Sequence, residues 1–139
     1  MKVYGKDEPI PDWSTVDEGK LDSALHAPRY AFDGRDAYPS LEEKSAVLLY
    51  GIAKAHALSN GNKRMAMVST FLFLGLNAHW WAAESEEVRA HVTWLAASEA
   101  RARDEVIAYM TKYFQTGRIV PLRNVIGSDA VAVETILPH

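Results

Sequence analysis

The stretch His56-Ala57-Leu58-Ser59-Asn60-Gly61-Asn62-Lys63-Arg64, with the apolar run Met65 to Asn77 that it opens, decides how this chain is read. The run sets Met65, Met67, Val68, Phe71, Leu72, Phe73, Leu74 and Leu76 on nearly every side of a helix. A helix without a polar face is expected to be buried. The only charges near it, Lys63 and Arg64, stand at its front end. The first N–H groups of a helix have no partner inside it, its N-terminus is positive, and a glycine there lets backbone approach a ligand closely. A loop of Asn60, Gly61 and Asn62 followed by two cations therefore suits an anion such as phosphate. His56 stands five residues before Gly61, and imidazole can take a proton at neutral pH. One short stretch thus offers a phosphate cradle and a general base. The same residues also fit a plainer reading. A histidine at a helix end is often a cap, and Ser-Asn-Gly-Asn is ordinary turn composition.

Working outward from this stretch, Ser40 with Glu43 forms a capping box. It opens a helix to about Ala55, with Ala46, Val47, Leu49, Tyr50 and Ala53 near helical spacing. Further upstream, Asp17 caps a short helix over 18–26, with Leu21, Ala24 and Leu25 on one face and Pro28 at its end. Residues 28–39 read as a loop or a small hairpin turning at Asp33-Gly34. Residues 1–13 read as an irregular arm. Downstream, Asn77 caps the apolar helix and His79-Trp80-Trp81 is a connector. A helix follows from Glu84 to about Ala100, with Val88, Val92 and Leu95 inward. Another runs from Arg103 to Gln115, with Val106, Ile107, Met110, Tyr113 and Phe114 on one face, and Thr116-Gly117 stops it. In the tail, residues 118–139, Ile119-Val120-Pro121-Leu122 looks extended without an evident strand partner, and Gly127-Ser128-Asp129 looks like a turn. Val131, Val133 and Thr135 alternate weakly there. The tail is expected to dock on the domain or on a second copy. The whole reads as one all-α domain, residues 1–139.

Composition narrows the function classes. A length of 139 residues supports one domain with a real core, and 48% hydrophobic with 24% charged residues is ordinary globular usage. A net charge of −3 gives no sign of nucleic-acid or membrane binding. There is no cysteine, so disulfides and thiolate metal sites are excluded. The N-terminus lacks the apolar core of a signal peptide, and the longest apolar run, about a dozen residues, is too short to span a bilayer. A soluble cytoplasmic protein is expected. His26, His79, His91 and His139 show no metal-ligand spacing. Trp80, Trp81 and Trp94 read as packing rather than as a stacking platform.

His56, Gly61, Asn62, Lys63 and Arg64 stand at the positions of the Fic/Doc family motif, His-x-Phe-x-Asp/Glu-Gly-Asn-Gly/Lys-Arg, and this stretch resembles it in order and spacing. The segments Tyr38 to Lys44 and Asp17 to Leu25 are similar to those before the motif in Doc-like members, so the likeness covers about residues 12–116. It implies an all-α domain with the motif loop between two central helices, the second of them buried. It also implies transfer from a nucleoside triphosphate, with Mg²⁺, to a Ser, Thr or Tyr hydroxyl of a target protein. By resemblance His56 is the base, and Gly61, Asn62, Lys63 and Arg64 bind ATP or another nucleotide through its phosphates. Lys63, where AMP-transferring members carry glycine, places the chain with Doc, which phosphorylates a translation elongation factor and is held by a small antitoxin. In folds of that type the segment before the motif is a flap that positions the target, which implies Tyr30, Phe32 and Arg35 for that role.

Two departures from the pattern bear on chemistry. The family's metal-holding acid is Asn60 here, and one negative charge fewer weakens a hard-cation site. The family Phe is Leu58, a milder change. AMP transfer, or a nucleotide- or partner-binding domain without turnover, are the alternatives to phosphotransfer. Ser14-Thr15-Val16-Asp17-Glu18-Gly19 also matches the family's inhibitory pattern, which would make Glu18 an inhibitory residue.

Overall fold

Asp17 and Ser40 each launch a helix by the same device. The computed structural model describes residues 16–29, 31–32, 35–56 and 61–126. The Asp17 carboxylate accepts from the Lys20 N–H at 3.1 Å and starts α1 (Glu18–His26). The Ser40 Oγ accepts from the Glu43 N–H at 3.0 Å and starts α2 (Leu41–Ala55). The Ser40 hydroxyl also donates to the Glu43 carboxylate at 3.2 Å. The expected box is therefore formed, with Glu43 turned to the cap hydroxyl instead of the cap N–H. Between these helices a 3₁₀ turn (Ala27–Arg29) buries Pro28. It leads into an antiparallel hairpin of β1 (Ala31–Phe32) and β2 (Arg35–Asp36), with Ala31 opposite Asp36 and Phe32 opposite Arg35. The hairpin reading holds; Asp33 and Gly34, its expected turn, lie outside the described residues, as do the N-terminal arm and residues 127–139.

Helix α2 is the centre of the molecule. Ser45, Ala46, Val47, Leu48, Leu49, Tyr50, Ile52 and Ala53 are all buried. The helix is surrounded by α1, the 3₁₀ turn, α3 (Asn62–Leu76), α4 (Ser85–Ala97) and α5 (Arg103–Gln115). Where α1 crosses it, a Cβ on Gly51 would stand 3.4 Å from the Ala24 Cβ, so the two backbones run close together.

The expectation that α3 is buried on nearly every side needs correction. Ala66, Met67, Thr70 and Leu74 are buried, and Met65, Phe71 and Phe73 are half-buried against the core. Val68, Leu72 and Leu76, however, are 44%, 61% and 79% exposed. The fully surrounded helix is α2. Because α2 fills the centre, α3 makes its main contacts among the described residues on the side facing α2, α4 and the strand that follows it. Side-chain hydrophobicity reports transfer preference and not the number of neighbours available.

Past α3 the chain reverses. Asn77 ends the helix as expected, its Nδ2 donating to the Phe73 carbonyl at 2.8 Å, and Ala78 takes the left-handed turn at φ 59. His79-Trp80-Trp81 is not a plain connector but β3 (His79–Trp81), paired antiparallel with β4 (Ile119–Pro121). The extended Ile119-Val120-Pro121 therefore has a partner, one that the sequence did not show. A short α6 (Leu122–Ile126) closes the described chain. Trp81 is fully buried, stacked on Phe71 at 5.5 Å and edge-on to Phe114 at 5.0 Å. Val88, Val92 and Leu95 of α4 and Val106, Met110 and Phe114 of α5 face inward as read. No helix among the described residues is long and apolar enough to cross a membrane.

A polar clasp closes the β3–β4 end. The Tyr113 hydroxyl donates to Glu87 and accepts from the Trp81 Nε1 at 3.1 Å. The Arg118 Nε donates to Glu87 at 2.6 Å, and its guanidinium lies 5.8 Å from the Tyr113 ring centre. These bonds from Tyr113 and Arg118 hold the Glu87 carboxyl below its usual range. Burial, and then Glu87, push the Tyr113 phenol up to about 12. A lowered carboxyl stabilises the fold above its unfolded-state pKa and loses that contribution as pH falls through the folded value. In urea denaturation Glu87→Gln is therefore expected to be less stable than the parent at pH 6 to 7. That gap should close as pH drops below Glu87's ordinary 4.5. At the other extreme of the core, the Ser45 Oγ is buried and finds no partner among the described residues. Ser45→Ala is expected to raise stability by about 1 kcal/mol in the same assay.

Candidate functional site at the junction of two helices

The candidate site lies where α2 ends and α3 begins. His56 is the C-cap residue of α2, exposed, with φ 52 and ψ 36. That is the left-handed region, which costs an L-residue roughly 1–2 kcal/mol and which helix ends usually give to glycine. Nothing in the helix requires a histidine there. At the far side of the loop, Gly61 is buried and left-handed, with φ 77 and ψ 15. It is the N-cap of α3 and, having no side chain, gives the helix no side-chain cap. The first intrahelical bond runs from the Met65 N–H to the Gly61 carbonyl at 2.9 Å. The amides of Asn62, Lys63 and Arg64 precede that bond and open toward the loop end of the helix. Successive helical residues are about 100° apart, so these three side chains leave the first turn in three directions.

The sequence-derived residues fall as follows. His56, Gly61, Asn62, Lys63 and Arg64 are brought to one junction, with the three polar side chains half-buried. Asn62 and Arg64 are engaged with neighbouring groups, and the Arg64 Nε is shielded from solvent. Asn60 and Leu58 lie outside the described residues. Glu18 is exposed at the start of α1. Of the proposed flap residues, Arg35 is exposed on β2 and Phe32 is on β1, while Tyr30 lies outside the described residues. Among the described residues no group of three or more His, Cys, Asp and Glu side chains could hold a metal ion.

Three cations bind near the two ends of α2. Lys54, two residues before His56, donates from its ammonium to the Ala96 carbonyl at 3.2 Å and to the Ser98 carbonyl. It thereby fixes the end of α2 against the negative end of α4. The Lys44 ammonium donates to the Pro28 carbonyl at 3.1 Å and meets the Asp36 carboxylate at 3.5 Å. Arg103, whose charged form is favoured by Tyr38, lies 5.9 Å from the Tyr50 ring centre. These partners are not at helical spacing, so no periodic signal marks them.

The sequence model described as the Fic/DOC family matches residues 2–74. Toxin Doc of Mycolicibacterium smegmatis is similar to this chain, with 43% identity over 74 residues, which is 53% of this chain and 57% of that protein. The alignment thus spans little more than half the length of that curated relative. No solved structure matches the chain.

The two left-handed positions make opposite predictions. His56→Gly is expected to leave stability unchanged or to raise it by up to about 1 kcal/mol, because glycine takes φ above zero without strain. Gly61→Ala is expected to lower it by about 1 kcal/mol or more. Paired chemical denaturation curves measure both.

Proposed function

Because the chain belongs to the Fic/DOC family, we propose that it is a protein-modifying phosphotransferase of the Doc type and the toxin of a toxin–antitoxin pair. The reaction moves the γ-phosphoryl group of ATP, or of another nucleoside triphosphate, to a Ser, Thr or Tyr hydroxyl of a target protein. A translation elongation factor is the target we infer from the resemblance. A small antitoxin would hold the chain inactive, and the similarity to a protein named Toxin Doc supports that assignment.

One observation carries the reading: a histidine in a strained backbone conformation at the end of α2, across a short loop from a glycine-capped, cationic helix start. Strain of this kind persists where function demands the side chain and the surrounding structure sustains it. In the proposed step the His56 imidazole takes the proton of the target hydroxyl as that oxygen bonds to the γ-phosphorus. The bond from phosphorus to the β–γ bridging oxygen breaks, and the nucleoside diphosphate leaves. The Gly61 and first-turn amides, Asn62, Lys63 and Arg64 hold the phosphates and oppose the charge that develops on them. Magnesium would enter on the nucleotide's own phosphates and neutralise part of their charge. Asn60 would add one neutral oxygen, and no step here depends on a protein carboxylate. Arg35 and Phe32 on the hairpin would meet the segment of the target that carries the hydroxyl.

The test uses ATP labelled on the γ-phosphate, Mg²⁺ and a bacterial lysate. One labelled protein band is expected with the parent chain and none with His56→Ala. Label arriving only from the α-phosphate would replace this reading with AMP transfer. Absence of both, restored by Asn60→Asp, would make the natural chain a nucleotide-binding domain whose turnover was lost with the acid. If the metal limits turnover, Asn60→Asp is also expected to raise the rate of an active chain by about tenfold, the usual scale for one metal-site substitution.

A further inference from the structure

The hairpin cannot hold its position unaided. It contains two residue pairs, Ala31 with Asp36 and Phe32 with Arg35. Isolated two-stranded hairpins are marginal even at greater length. Among the described residues, its attachment to the domain is a matter of what grips its two legs. One leg enters from Pro28, buried in the 3₁₀ turn, and the other leaves through Asp36. A single ammonium reaches both: Lys44 donates to the Pro28 carbonyl at 3.1 Å and to the Asp36 Oδ2 at 3.5 Å. Lys44 is in the second turn of α2, and the residues that follow it, Ser45 to Tyr50, are all buried. Its Cα is therefore fixed to the least movable element of the fold. The Lys44 side chain is 22% exposed and that of Asp36 is 54% exposed, so the bond to the Pro28 carbonyl is the better shielded of the two. Two residues beyond Asp36, Tyr38 favours the charged form of Arg103, whose guanidinium lies 5.9 Å from the Tyr50 ring centre of the same helix.

The geometry points to Lys44 as the positioning residue of the hairpin, the group that closes its two legs on α2 and sets the angle at which Arg35 is presented. This rests on the reading above only in giving the hairpin a target to present to. Lys44 touches neither nucleotide nor acceptor in that reading, so its loss acts through the hairpin. Methionine keeps an unbranched stem out to Cε and removes the ammonium donor, whereas arginine restores both the charge and the reach.

Amide hydrogen exchange of the full chain tests the assignment without any acceptor. Lys44→Met is expected to lower protection of the hairpin amides at residues 31–36 by about tenfold, the scale of one lost charge-assisted bond, with α3 and α5 unchanged and Lys44→Arg near the parent. Unchanged hairpin protection in Lys44→Met would overturn the proposal. So would an equal loss across all helices, since that marks general destabilisation. The second arm uses purified bacterial translation elongation factor as acceptor. Lys44→Met is expected to raise the apparent KM for the factor about fivefold or more while kcat stays within about twofold, with recovery in Lys44→Arg. Lost protection with an unchanged KM would overturn the presenting role and leave the transfer chemistry standing. No labelling of the factor even by the parent chain would count against the transfer reading, and the exchange result would still decide on Lys44.

Discussion

The burial of α2 is the constraint on which the rest of the structure depends. A helix apolar around its whole circumference from Ser45 to Ala53 leaves no side for solvent, so neighbours must close it on every face. Helices α1, α3, α4 and α5 do so, and the close approach at Gly51 and Ala24 brings α1 into the arrangement. Apart from Gly51, the residues of α2 that reach the surface lie at its two ends. At one end Ser40 and Lys44 meet the hairpin; at the other His56 meets the loop into α3. A central element fixed on all sides can hold two functional ends at a constant separation, as a bearing holds a shaft. The half-buried cations at Lys44 and Lys54 make each end specific, because each ammonium binds carbonyls of a different neighbour.

Elements fixed by local chemistry were legible in the sequence. Asp17 with Lys20, and Ser40 with Glu43, are bonds between residues three apart, and both caps form as the residue types imply. Helix α5 begins at Arg103 and ends at Gln115 as read, because Gly117 supplies the left-handed exit at φ 82. The hairpin over residues 28–39 was likewise within reach of turn chemistry. What the sequence concealed was non-local. The β3–β4 pair joins strands separated by α4 and α5, and three-residue strands carry no usable alternation. The relative burial of α2 and α3 was inverted for the same reason: both helices are apolar, and only packing decides which of them occupies the centre.

The same division runs through the candidate site. Order and spacing from His56 to Arg64 are properties of the chain, and they identified the junction. The sign of φ at His56 is set where α2 stops and α3 begins, and histidine as a residue type does not announce it. Lys44 reads, in sequence, as one more surface cation in a helix. Its two acceptors lie on either leg of a hairpin, a relation visible only once the legs are in place. The clasp of Glu87, Tyr113 and Arg118 is similar: three ordinary residues on three elements, combined by the fold.

The strand pair β3–β4 bears on how the chain is made. Synthesis runs from the N-terminus, and every motif residue has been joined to the chain once Arg64 is added. At that stage α2 has no α4 or α5 to cover it, and its apolar circumference stays open. Trp81 is sealed later still, once Arg118 and Ile119 have emerged to complete the clasp and the sheet. The segment that carries the family likeness, residues 2–74, thus lacks α4, α5 and the β3–β4 pair that complete the core. A nascent chain passes through a long interval in which its chemical residues exist and the scaffold that orients them does not. For a protein read as a toxin, that interval separates translation of the motif from acquisition of its activity.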